Sequence, residues 1–273
     1  MFNFIDHSIF VGGSLIAQFF LIGVFLLVVA SFIAGYIDAV AGGAGLILIP
    51  AFILTGLPPQ LALGQEKLVS TIGTIAAIKN FVKNRSVIWK VVPAGILSAL
   101  VGAFVGARVI LILPSEALSL VIVALLPIGL VAATVKSRLK ENYQTPTTNP
   151  IAIFTVCFVV GFYDGFYDGF FGPGTGSLFI VVLAVVNRFC LLEASATSKI
   201  FNFSSNMGAF VAFAIAGQMA WIIGIPMIVA SLLGNHIGSL HAIKTNGEII
   251  KKVLYLSVGS MMVTLLVKYI SGH

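Results

Sequence analysis

Long apolar runs recur along nearly the whole chain, separated by short breaks of glycine, proline and charged residues. A run of about 20 residues can cross the hydrocarbon layer of a membrane as a helix. The runs do not alternate with the period of two that a half-buried strand shows, so we predict an all-α, polytopic membrane protein. The pattern predicts ten elements, at 14–36, 45–56, 61–82, 88–111, 115–135, 150–167, 176–187, 192–216, 219–241 and 249–270.

Two of these elements, 45–56 and 176–187, are too short to span the bilayer. Each follows a glycine-rich break, and a short helix after a break is typical of a discontinuous or re-entrant element. Non-helical backbone at membrane depth is tolerated only inside protein or against a water-filled cavity. We therefore expect both breaks to lie in the interior of the molecule.

The two halves of the chain match each other. Gly35, Asp38 and Gly42 recur 130 residues later as Gly165, Asp168 and Gly172. Lys67, Trp89, Gly102 and Gly106 recur 132 residues later as Lys199, Trp221, Gly234 and Gly238. These matches predict two five-element repeats, 1–140 and 151–273, joined by a polar linker at 141–150.

Basic residues occupy opposite positions in the two halves. The loop before Trp89 carries three basic residues, whereas its counterpart before Trp221 carries none. The segment after the Gly238 element carries three lysines, whereas its counterpart after Gly106 has only Arg108 nearby. Because basic loops favour the cytoplasmic side, equivalent loops would face opposite sides, which predicts an inverted repeat.

Composition supports a membrane protein and excludes several other classes. Of 273 residues, 59% are hydrophobic and 9% are charged, with a mean hydropathy of +1.11. A soluble domain carries about 25% charged residues. The net charge of +6 comes from lysines and arginines that mostly lie between apolar runs, with no basic stripe, so we expect no nucleic-acid partner.

The glycine breaks are the first candidate site. Their sequences are GYIDAVAGGAG at 35–45 and GFYDGFYDGFFGPGTG at 161–176. A helix that begins after such a break presents free N–H groups and a positive dipole end, which together favour an anion. The candidate ligand-binding residues are Gly42, Gly43, Gly45, Gly172, Gly174 and Gly176. The alternative is close helix packing through small residues, which we favour for the Gly102/Gly106 and Gly234/Gly238 pairs.

Polar residues on one face of two apolar helices form the second candidate site. In the first half these are Lys67, Ser70 and Thr71, and in the second half Lys199, Asn202 and Asn206. A lysine within the membrane costs roughly 2.5 kcal/mol or more, so it is expected to face a cavity or a charged partner. An anionic substrate would be such a partner. The alternative is that the lysines extend to the membrane surface.

Acidic residues beside the breaks are candidates for proton coupling. Asp38 and Asp168 could carry a proton during transport, or they could bond the free N–H groups of the breaks. Glu66 could pair with Lys67 or face lipid headgroups. We find no nucleophile-base set, phosphate-binding loop or metal-ligand cluster, so we expect no enzyme activity, cofactor or metal.

At this point two segments resemble a known family. GYIDAVAGGAGLILIPAFILTGLPPQLALGQEKL resembles the first signature of the sulfite exporter TauE/SafE family of membrane permeases. GFYDGFFGPGTGS followed by SATSKIFNFSSNMG resembles the second signature. The chain departs from the family pattern at Glu66, where members often have asparagine, and at Ala44, which interrupts a glycine run. The resemblance implies a carrier of sulfite, sulfonates or other organosulfur anions.

Together these features predict a secondary transporter in the bacterial inner membrane. A small sulfur oxyanion would bind between the halves, and the halves would rock to give alternating access. Coupling to protons is open. The alternatives are a channel, or a carrier for a different small solute. The sequence also leaves the oligomeric state open, a homo-oligomer included.

Overall fold

The protein is helical throughout the part that its structure describes. This computed structural model describes residues 18–84, 86–114, 117, 150–185 and 187–245. No β-strand occurs within those ranges, which confirms the all-α prediction. The elements predicted at 115–135 and 249–270 lie outside the described residues, and so does the predicted linker except for its last residue, which begins a helix.

Eight α-helices in the described ranges correspond to the other eight predicted elements. They are α1 Phe20–Ala41, α2 Gly45–Thr55, α3 Pro59–Lys83, α4 Val92–Ile110, α5 Pro150–Phe170, α6 Thr175–Val185, α7 Leu191–Ile215 and α8 Trp221–Lys244. A single 3₁₀ turn, Trp89–Val91, leads into α4. The two helices after the glycine breaks, α2 and α6, are short, with 11 residues each.

The helices that precede the glycine breaks extend further along the chain than the sequence predicts. The sequence predicts that the first element ends at residue 36, but α1 continues to Ala41, so Asp38 lies in the helix. The helix stops because Gly42 and Gly43 have φ angles of +72° and +136°, which residues with a side chain rarely adopt. Similarly, α5 continues to Phe170, past the predicted end at residue 167.

The helices form two interlocked bundles, each with one helix from the other half of the chain. In the first bundle, α8 packs along α1 and α3, and α2 packs against α1 and α3. In the second bundle, α4 packs along α5 and α7, and α6 packs against α5 and α7. The fourth helix of each half therefore belongs to the bundle built mainly by the other half. The central helices α3 and α7 touch each other between the bundles.

Glycines allow α4 and α8, the helices that belong to the bundle of the opposite half, to pack closely against their neighbours. A methyl group added to Gly106 on α4 would overlap the backbone carbonyl of Phe166 on α5. The equivalent glycine, Gly238 on α8, lies against the backbone carbonyl of Tyr36 on α1. Phe166 and Tyr36 are themselves 130 residues apart, so the two contacts match, and the close-packing prediction is confirmed. The division into halves and their inverted orientation stay predictions.

Apolar side chains cover the outside of the bundles and polar ones fill much of the inside. Leu21 is 80% exposed, Ile225 64% and Leu97 62%, whereas two lysines, three acids and several serines and asparagines are buried. This distribution suits a protein whose solvent is lipid. Among the described residues, three stretches are long and apolar enough to cross a membrane: Phe20–Ala41, Trp89–Ile110 and Trp221–Lys244.

We predict that Gly106→Leu destabilises the protein by about 1–3 kcal/mol or more, because the side chain must push α4 away from α5. Gly238→Leu should have a similar effect at the matching contact of α8 with α1. The measurement is the thermal unfolding midpoint of the purified protein in detergent. Val105→Leu, on an exposed part of α4, is the control and should leave the midpoint nearly unchanged. Equal midpoints for all three variants would contradict the packing described here.

Candidate functional site

The two glycine breaks meet each other in the centre of the molecule. A methyl group added to Gly42 would lie 2.5 Å from the carbonyl carbon of Gly176. The Ser177 hydroxyl donates hydrogen bonds to the carbonyls of Ala41, at 2.9 Å, and Gly42, at 3.0 Å. The first turns of α2 and α6 therefore begin side by side, one from each bundle.

Both lysines of the second candidate site are buried and paired with acids from the other half of the chain. Lys67 Nζ on α3 lies 2.8 Å from Asp168 Oδ1 on α5. Lys199 Nζ on α7 lies 3.3 Å from Asp38 Oδ1 on α1 and also donates to the Asp38 backbone carbonyl. The two pairs match under the repeat, and each links one bundle to the other. Because Lys67 is 1% exposed and Lys199 0%, the alternative that they extend to the membrane surface is wrong.

Asp38 bonds a free N–H group of the break, as the sequence allowed, and its proposed role in proton coupling stays a prediction. One of its carboxylate oxygens accepts a hydrogen bond from the Gly43 backbone N–H at 3.3 Å, as a residue that caps the break would. The same carboxylate pairs with Lys199, and its other oxygen accepts from the Thr74 hydroxyl at 3.3 Å. Asp38 thus ties the first break to α3 and α7.

A small cavity lies where the breaks and the polar faces of α3 and α7 converge. Its volume, measured to the centre of a water molecule, is about 10 Å³, which is room for roughly one water. The residues that line it are Asp38, Gly43, Ala44, Gly45, Glu66, Ser70, Asp168, Gly172, Gly176, Asn202 and Asn206. Most of the predicted site residues are therefore brought together.

Five predicted site residues lie near the cavity without lining it: Gly42, Lys67, Thr71, Gly174 and Lys199. Lys67 is directly behind the wall, because a methyl group added to Gly172 would lie 2.5 Å from its Nζ. The Thr71 hydroxyl donates to the Lys67 carbonyl at 2.6 Å, so it satisfies the backbone of its own helix. Gly174 has a φ of +87° and contributes to the bend before α6.

The amide of Asn206 is bonded on one side only. Its nitrogen donates to the carbonyl of Asn202 at 2.7 Å and to the side-chain oxygen of Asn202 at 3.2 Å. Its own oxygen accepts no hydrogen bond from any described residue, and neither does Asp168 Oδ2. Both residues line the cavity, so its wall carries buried acceptor oxygens without donors.

Comparison with known proteins identifies the family. The family described as sulfite exporter TauE/SafE matches residues 27–265 of this chain. The chain belongs to the sulfite exporter TauE/SafE family. This agrees with the resemblance of the glycine breaks and the lysine segments. No solved structure matches the chain.

Several relatives of this TauE/SafE chain are named as transporters. A "Probable membrane transporter protein ORF9" from Sinorhizobium sp is 38% identical over 88% of this chain and 91% of the relative. A "Probable membrane transporter protein" from Haemophilus influenzae is 32% identical over 92% of this chain and 94% of the relative. The Escherichia coli K12 protein YfcA, also named a probable membrane transporter, is 30% identical over 90% of both chains. Its family and the names of its relatives thus indicate that the chain is a membrane transporter, and these names do not indicate an enzyme.

Glu66 lines the cavity of this TauE/SafE protein, and it was absent from the predicted site residues. It is 3% exposed, its Oε1 accepts from the Ser70 hydroxyl at 2.8 Å, and its Oε2 lies 3.1 Å from Lys67 Nζ. The sequence offered a signal, because Glu66 departs from the family pattern and its repeat counterpart is Ser198. Burial excludes the alternative that Glu66 faces lipid headgroups, whereas its pairing with Lys67 is confirmed.

We predict that Lys199→Met destabilises the protein by about 3–5 kcal/mol, because it leaves the Asp38 carboxylate buried without its partner. The double variant Lys199→Met/Asp38→Asn should recover most of that loss, since neither charge remains. The measurement is a double-mutant cycle on thermal unfolding in detergent. Lys79→Met, at an exposed position of α3, is the control and should change stability little. Additive effects of the two single substitutions would contradict a coupled pair.

Proposed function

We propose that this chain is a secondary transporter that moves a small anion, sulfite or a short organosulfonate, across the bacterial cytoplasmic membrane. The carrying observation is the small polar cavity at which two helix starts, from the two bundles, meet beside two buried lysines. Helix N-termini and lysines both favour negative charge. Membership of the sulfite exporter TauE/SafE family supports a sulfur oxyanion as the substrate class.

The lining of the cavity suggests how an oxyanion is held. Gly45 and Gly176, in the first turns of α2 and α6, lack side chains, so a ligand can approach the backbone N–H groups there closely. The Asn202 amide lines the same space and can donate hydrogen bonds, whereas the Ser70 hydroxyl donates to Glu66 and must leave that partner to donate to a ligand. The lysines lie just behind these groups and contribute positive charge. They can contact the ligand if their ion pairs with the aspartates break.

The helix exchange suggests which parts move. We expect the two interlocked bundles to rock against each other, rather than the two halves of the sequence, because α4 and α8 each pack into the opposite half's bundle. The contacts between the bundles are the α3–α7 contact, the paired glycine breaks and the two lysine-acid pairs. A cavity with room for one water is too small for sulfite, so we expect the bundles to separate when substrate loads.

A second candidate keeps the carrier and changes the solute. Three carboxyl groups line the cavity, from Asp38, Glu66 and Asp168, which favours a monovalent cation or a neutral solute over an anion. The two lysines beside those acids offset most of this negative charge. We therefore prefer the anion, and the test below separates the two.

We predict that purified protein in liposomes takes up labelled sulfite with saturable kinetics, and that Lys199→Ala and Asn202→Ala each reduce uptake at least tenfold, the loss of one good charged contact. Uptake is measured against competing sulfate, methanesulfonate, taurine and sodium. Lys79→Ala is the matched lysine control and should transport normally. Full activity of both variants would contradict the assignment of the substrate site. Uptake of sodium without any oxyanion would favour the second candidate, and flux without saturation would favour a channel.

A further inference from the structure

Acids outnumber bases at the buried site. Asp38, Asp168 and Glu66 are each at most 3% exposed, whereas the only lysines or arginines paired with them among the described residues are Lys67 and Lys199. If every group is ionised, the site carries a formal charge of −1. An isolated charge is costly in a medium of low dielectric, so a site that admits a further anion needs a means to offset it.

The repeat identifies Glu66 as the excess acid. Asp168 pairs with Lys67 and Asp38 pairs with Lys199 in matching geometry, so these four residues balance each other. The residue equivalent to Glu66 in the second half is Ser198, whose hydroxyl donates to the Ser195 carbonyl at 2.8 Å. Among the acids that line the cavity, Glu66 is therefore the one for which the repeat supplies no second lysine.

The surroundings of Glu66 suit a group that gains and loses a proton. The partner of its Oε2 is Lys67 Nζ, at 3.1 Å, and Glu66 lines a cavity where Asp168 and Asn206 each have one oxygen without a donor. A carboxylate only accepts hydrogen bonds, whereas a protonated carboxyl group can donate one. Protonation of Glu66 would thus supply a donor to a cavity lined by buried acceptors.

The other charged groups around Glu66 lie on identified helices. Lys67 neighbours it on α3, Asp168 lines the same cavity from α5, and Asp38 on α1 and Lys199 on α7 lie in the same cluster. One turn before Asp168 on α5, Asp164 is a further acid with a buried oxygen, and it does not line the cavity. The helices α2 and α6 carry no titratable residue. The titratable groups of α8 lie elsewhere, since His241 contacts Tyr36 and His236 contacts Asn80.

We propose that Glu66 is a proton-binding site of the transport cycle, so that one proton and one monovalent anion cross together. The carboxylate takes a proton from water on the side to which the cavity is open when the anion enters, and returns it to water when the anion leaves. The formal charge of the site is then −1 both in the empty state with ionised Glu66 and in the loaded state with protonated Glu66. The anion half of this proposal rests on the proposed function, whereas the proton site on Glu66 can be tested without substrate.

The transport test uses liposomes and methanesulfonate, whose charge does not change near neutral pH. Two quantities are compared: uptake driven by an imposed pH gradient, and exchange of labelled for unlabelled substrate without a gradient. In the Glu66→Gln variant, we expect the pH gradient to drive no extra uptake. The rate of gradient-driven uptake, divided by the rate of exchange, should therefore fall to the value measured without a gradient. Glu66→Asp, which keeps a carboxyl group, should restore part of the ratio. Asp164→Asn, an acid that does not line the cavity, should keep the wild-type ratio.

The substrate-free test records infrared difference spectra of the detergent-purified protein as the pH is raised. A carbonyl stretch of a protonated carboxylic acid should disappear from wild type on titration and be missing from Glu66→Gln. It should persist in Asp168→Asn and Asp38→Asn. Loss of this band in Asp168→Asn alone would move the proton to Asp168 and overturn the proposal. A gel-filtration profile and the unchanged amide bands establish that each variant is folded.

The two tests separate failure of this inference from failure of the proposed function. If wild type transports an oxyanion and Glu66→Gln keeps a wild-type ratio, the proton site is wrong and the transporter stands. If no oxyanion is transported but the infrared band is lost with Glu66, the proton site stands and the anion substrate is wrong. If sodium, rather than a rise in pH, abolishes the band, then Glu66 binds a metal cation and the proton assignment is overturned.

Discussion

The structure depends on the neutralisation of two buried lysines. A lysine within the membrane is costly unless a cavity or a partner lies beside it, and Lys67 and Lys199 each have an aspartate partner from the opposite bundle. These pairs set the position of α5 against α3 and of α1 against α7. Because the glycine breaks directly follow the two aspartates, the same pairs bring the breaks together. Neither bundle has a complete site on its own.

The exchange of helices between the halves strengthens this dependence. Glycines on α4 and α8 let each helix lie against backbone of the opposite half, so that the two halves cannot separate along the boundary drawn in the sequence. Close backbone contact of this kind is rigid, whereas the contact between the bundles adds ion pairs and hydrogen bonds around a cavity to the close approach of Gly42 and Gly176. Motion is therefore expected where hydrogen bonds and ion pairs can exchange partners.

Local features of the site could be predicted from the sequence, but the pairing could not. Glycine breaks, short helices and the spacing of Lys199, Asn202 and Asn206 follow from neighbouring residues. The Lys67–Asp168 pair joins residues 101 positions apart, and nothing local distinguishes a paired lysine from one that extends to the surface. The end of α1 was misplaced because a glycine within an apolar run marks a helix end only where its φ is positive, and the sequence does not show φ.

The one position at which the two halves of the site differ in charge is also the most informative. With serine at both Glu66 and Ser198 positions, the two lysine-aspartate pairs would leave the empty site neutral, and an entering anion would change its formal charge from 0 to −1. A single added acid changes this, because its proton can arrive with the anion and leave with it. A repeat supplies matched binding groups from both sides, and a departure from that match supplies a group whose charge can change during the cycle. The asymmetry of the acids, rather than the symmetry of the lysines, is thus the feature from which energy coupling can arise.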